Sequence, residues 1–123
     1  QGGKNFSSIK KFKHKKEKNR LLLENTENEV KTDTATSWSF FQSAESVFNS
    51  TAAQLKAAEI ANEGITLEYD SGNTRTTLEV IQSRSLLLEA RISHAKAKKD
   101  LIVSKLQLLS QVGELNLRSF QNP

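Results

Sequence analysis

Residues 67–80 read LEYDSGNTRTTLEV, and the fold turns on how they are understood. To either side the chain carries a helical pattern; here it becomes small and polar. Asp70, Ser71, Gly72 and Asn73 are turn formers, and Gly72 or Asn73 can supply the left-handed residue that a chain reversal needs. Thr74, Arg75 and Thr76 follow. Thr76-Thr77-Leu78-Glu79 then has the spacing of a capping box, a hydroxyl at the helix start and a carboxylate three residues on. The segment 70–75 is therefore read as the tip turn between two antiparallel helices.

Upstream, only Gly64 interrupts helical residues between Ile9 and Glu68, and the spacing predicts one helix over 9–69. Sixty residues at 1.5 Å each span about 90 Å, longer than any helix of a compact domain of this size. Phe41, Phe48 and Leu55 recur every seven residues, with Ala44, Thr51, Ala58 and Ile65 between them, which is an a/d seam. Trp38, Ala52, Ala53, Ala57, Ile60 and Ala61 fall on neighbouring faces. Residues 1–8, QGGKNFSS, are expected to be a loop, broken by Gly2-Gly3 and closed by Ser7 or Ser8 as a cap.

Downstream, a second helix is predicted over 76–112, stopped by Gly113, with an irregular tail at 113–123. Two seven-residue series run along it. One is Ile81, Leu88, Ala95, Ile102 and Leu109; the other is Val80, Leu87, His94, Leu101, Leu108 and Leu115. One series serves one neighbour, and a two-helix hairpin provides only one. The second series must be covered by other parts of a longer chain or by other copies, because left bare it would expose much leucine to water. The fold class is all-α: a long antiparallel coiled-coil hairpin that forms a piece of a larger helical wall.

Composition agrees. Of 123 residues one is proline, at the last position, and five are glycine, too few breakers for a compact fold of short elements. The absence of cysteine excludes disulfides and thiolate-bound metals. No apolar run approaches the roughly 18 residues of a membrane helix. The chain starts at Gln1 without a signal peptide and reads as a fragment. The net charge of +4 is local: residues 1–20 hold eight basic residues against Glu17, and the remainder is net acidic.

No constellation for catalysis emerges. The two histidines, His14 and His94, lie on different helices, and there is no phosphate loop, nucleophile elbow or metal spacing. His94 sits between Leu87 and Leu101 in its series, which suits packing. The chain is accordingly expected not to be an enzyme, with no catalytic, cofactor-binding or metal-binding residue. The basic run KKFKHKKEKNR reads first as a solvated face, next as a contact for anionic lipid, and last as a nucleic-acid site, since arginine is scarce and only Phe12 interleaves. Glu79 has two candidate duties, closing the capping box or lining a pore as part of a charged ring. An arginine at a turn tip, Arg75, is either solvated or bridges carboxylates and carbonyls.

The segment GNTRTTLEVIQSRSLLLEARISHAKAKKDLIVSKLQLLSQVGELNL resembles the closing part of the TolC family of outer-membrane efflux proteins, in the branch that serves type I secretion. The resemblance rests on Gly72, Thr74-Arg75-Thr76, Glu79, Leu87 to Arg91, and Leu108 to Leu115 in that order. The preceding stretch SWSFFQSAESVFNSTAAQLKAAEIANEGITLEYDSG is similar to the family's long descending helix. The family resemblance implies a homotrimer whose chains share an outer-membrane β-barrel and a periplasmic helical tunnel. The strands would lie outside this segment, and the segment would project into the periplasm. It implies a passive export conduit working with a periplasmic adaptor and an inner-membrane transporter, its basic end near outer-membrane lipid, with no nucleic acid. Tyr69 and Arg75 match a tyrosine and an arginine that hold the entrance shut. Glu79 matches the first of two acidic pore residues, whereas Gln82 stands in place of the second, so a cation ring here would be weaker. Asn73 reads as an extra residue before Thr-Arg-Thr. Other hairpins share the outline: a binding module such as a periplasmic adaptor or a nucleic-acid-binding arm, and a soluble structural coiled coil. The cargo, whether protein, drug or metal ion, is not legible.

Overall fold

The computed structural model describes the backbone of residues 2–72 and 74–121, and side chains from Glu17 onward within that range. It consists of two helices, α1 (Gly2–Asp70) and α2 (Thr77–Gln121), packed against each other along an antiparallel hairpin. The side chains of the basic run before Glu17, His14 and Phe12 among them, lie outside the described residues, as does Asn73.

The expected boundaries differ at both ends. Residues 2–8 belong to α1 instead of a loop, so Ser7 and Ser8 lie inside the helix. Lengthening an existing helix fixes one residue per added hydrogen bond, and two glycines weaken this by only about 1 kcal/mol each. At the other end α2 passes through Gly113 to Gln121, where a stop and an irregular tail were expected. Gly113 does not have positive φ; among the described glycines only Gly72 does, at 98°. The seam explains the continuation: Gln111, Leu115 and Arg118 extend the inward-facing spacing, and Glu114 and Arg118 pair at 3.6 Å one turn apart.

The contact face of each helix follows the heptad. On α1 Phe41, Ala44, Phe48, Thr51, Leu55, Ala58, Asn62 and Ile65 are buried or half-buried, with steps of three and four. On α2 the same steps run through Val80, Ser83, Leu87, Ala90, His94, Ala97, Leu101, Ser104 and Leu108. Two polar pairs give the register: Thr51 meets His94, and Asn62 meets Ser83. Carried along, this register brings the last turn of α2 level with Glu24. The first twenty or so residues of α1 run past their partner, which leaves Leu21, Leu22 and Leu23 exposed.

The other α2 series stays in water. Ile81 is 55% exposed, Leu88 57%, Ile102 51% and Leu109 57%. Leu78, Ile92 and Leu106 lie between them with the same three–four spacing and are also exposed. At about 100° per residue this outer stripe is centred roughly 150° from the inner one. α2 is thus apolar on two nearly opposite faces, and α1 covers one.

Candidate functional site

The tip is built by local hydrogen bonding. The Ser71 amide donates to the Leu67 carbonyl at 3.0 Å, and the Ser71 hydroxyl to the same oxygen at 2.8 Å, closing the last turn of α1. The Gly72 amide then donates to the Tyr69 carbonyl at 3.0 Å. Gly72 turns the chain with positive φ, a conformation in which a Cβ would crowd the following carbonyl.

α2 opens with reciprocal caps. The Glu79 amide donates to Thr76 Oγ1 at 3.2 Å, and the Thr76 amide donates to Glu79 Oε2 at 3.3 Å. Two of the amides that a helix start leaves unpaired are satisfied in this way.

Arg75 lies between the helices. Its Nε donates to Glu68 Oε2 near the end of α1, and its Nη1 is 3.7 Å from Glu79 Oε2 in the first turn of α2. The hydrogen bond to Glu68, followed by the charge of Glu68, raises the guanidinium's pKa above its ordinary value. Arg75 therefore stays cationic and bridges one carboxylate from each helix. All three groups are well exposed, so salt screens the bridge. Tyr69 makes a second link: its Oη is 3.3 Å from Thr77 Oγ1 on α2. Thr74 is exposed in the bend between the helices.

Beside the tip a groove runs along one flank of the hairpin. Ala57, Ala61 and Ile65 of α1 line it with Arg75, Glu79, Gln82 and Leu86. Glu79 and Gln82, three residues apart, thus share one flank, and the small side chains opposite leave that flank open.

His94 sits in the seam, as its spacing suggested. Its ring stacks on Phe48 at 4.8 Å between centroids, and Nδ1 is 3.1 Å from Thr51 Oγ1. The Thr51 hydroxyl donates to the Phe48 carbonyl at 3.0 Å, so Nδ1 carries the hydrogen that Thr51 accepts. Sequence reasoning placed His94 and Thr51 on their faces but missed the pairing across the seam. It also missed Glu68 as the partner of Arg75 and the pair Asn62–Ser83. The signal available was an identical polar interruption in both seams, which only the register between helices turns into contacts.

Against known proteins, one similarity bears on these features. The chain is 25% identical over 114 residues to the outer membrane efflux protein BepC of Brucella suis biovar 1 (strain 1330). The match takes in 93% of this chain and 25% of that protein, so the chain spans about a quarter of the length of the curated relative it matches. No family model matches the chain. No solved structure matches it. Among the described residues no helix is long and apolar enough to cross a membrane, and no cluster of histidine and acidic side chains could hold a metal ion.

Proposed function

We propose that this chain forms part of the wall and the periplasmic entrance of a passive outer-membrane export conduit of the TolC type. It would act as a homotrimer with a periplasmic adaptor and an inner-membrane transporter that supplies the energy, and would itself perform no catalysis. The observation that carries the reading is the outer stripe of α2, uncovered from Leu78 to Leu109 and spaced in heptads. A lone hairpin has no use for a second apolar seam, whereas a helix in a closed wall has a neighbour on each side. The similarity to an outer membrane efflux protein along nearly the whole chain supports the same assignment.

In this reading Arg75 and Tyr69 latch the entrance. Each ties α1 to α2 at the turn, through Glu68 and Thr77 respectively. Opening requires the two helices to shift at the tip, and a polar, exposed latch can exchange partners with little loss. Glu79 and Gln82 would face the passage and present one negative charge per chain at this level. The basic end of α1 would lie toward outer-membrane lipid.

The test is single-channel conductance of the full-length protein in a planar bilayer. Arg75→Ala should raise the resting conductance, and Tyr69→Phe should add to it. A resting conductance unchanged in both would remove these residues from the gate. The adaptor reading has a separate signature, lipoyl-like strands flanking the hairpin in the full polypeptide instead of barrel strands and an earlier copy of the helical repeat.

A further inference from the structure

α1 packs on the less apolar of the two stripes of α2. The inner stripe mixes Ser83, His94 and Ser104 with its leucines and alanines, whereas from Leu78 to Leu109 the outer one is leucine and isoleucine broken by Ser85, Ala95 and Lys99. If burial of carbon alone decided, α1 would sit on the outer stripe.

The polar side chains of α1 supply the reason. Thr51 and Ser83 are buried, and His94 and Asn62 half-buried. Thr51 accepts from His94 Nδ1, and Ser83 Oγ donates to Asn62 Oδ1 at 3.2 Å. With the outer stripe turned inward, Thr51 would meet Ile92 or Ala95 and lose its donor. Asn62 would meet Ile81, with only Ser85 near. Lys99 would come level with Ala44 and Phe48, an ammonium against an apolar seam. A buried polar group without a partner costs more than a satisfied one contributes, so two such pairs can outweigh several methyl groups.

We infer that Thr51–His94 and Asn62–Ser83, with Lys99 opposing the alternative, determine which face of α2 turns toward α1, and so keep its stickier face free. That the free face is kept for neighbouring helices rests on the wall reading; the choice of face does not. Thr51, Asn62, Ser83 and His94 are positioning residues in this sense, acting through the orientation of α2.

The chain has no cysteine, so engineered pairs report on orientation without background. Cysteines at Ala58 and Leu87 repeat the Thr51–His94 relation one heptad further on, and cysteines at Ala58 and Leu88 require α2 to be rotated. In the intact polypeptide, oxidation should link 58–87 with roughly tenfold preference over 58–88, the weight of one lost buried hydrogen bond. In the background Thr51→Val, Asn62→Leu, Lys99→Leu, the 58–88 link should rise to equal or exceed 58–87 while helicity is retained. Thr51→Ser alone, which keeps the hydroxyl, should preserve the original preference. Exclusive 58–87 linking in the triple background, or ready 58–88 linking without it, would overturn the inference. A single cysteine at position 88 that links to no other helix would count against the wall and leave the face choice standing.

Discussion

Arg75 is the residue on which tip geometry and tip function meet. It is tied to Glu68 on one side and Glu79 on the other, both near the surface. Its contribution is therefore orientation of the two helix ends more than stability. Glu68→Gln should lower the unfolding midpoint of the 123-residue chain only slightly, and thermal melts should show the difference shrinking as salt is added. A difference independent of salt would mean that packing, not charge, links these groups. Gly72 carries the larger local weight. Its positive φ makes Gly72→Ala cost about 1–2 kcal/mol, measurable by urea denaturation, even though no neighbour crowds the site. The turn and the candidacy of Arg75 were legible in the sequence, because glycine and threonine have strong local preferences. Glu68 was not, since nothing in one helix says which carboxylate of another comes within reach.

At the scale of the element, each helix owes its limits to its ends and to its partner. The start of α2 is local: Thr76 and Glu79 exchange bonds as their spacing requires. Thr76→Ala should cost about 1 kcal/mol of hairpin stability, read from the same denaturation curve. The far end of α2 was misread. A glycine after a leucine-rich run is the usual stop, yet Gly113 lies within the helix with open space around its missing Cβ. The seam beyond it, Leu115 and Arg118, continues to meet α1, and this outweighs glycine's flexibility. Gly113→Ala should accordingly stabilise the chain by about 0.5–1 kcal/mol. Destabilisation instead would show that the helix ends there in solution, with Gly113 in a left-handed conformation.

For the molecule as a whole, the distribution of leucine decides what is stable alone and what needs company. The inner stripe holds the hairpin together, so Leu87→Ala should cost about 2–4 kcal/mol in urea denaturation. The outer stripe contributes nothing within the hairpin. Ile81→Gln, Leu88→Gln and Leu109→Gln together should leave the denaturation midpoint of the chain near its original value. In sedimentation of the full-length protein the same triple variant should dissociate the assembly. An assembly that survives all three would place its contacts elsewhere.

The sequence by itself determined the two long helices, the turn between them, the capping box and the presence of two apolar series on α2. These follow from local rules: hydrogen bonding within a few residues, glycine's backbone freedom, and the periodicity of side chains around a helix. The tertiary structure decided which series faces inward, which residues meet across the seam, and how far α2 extends. Those outcomes depend on the register between two rods that share no local constraint. Thr51, Asn62, Ser83 and His94 set that register only when all four find one another at once, and no residue among them announces its partner along the chain.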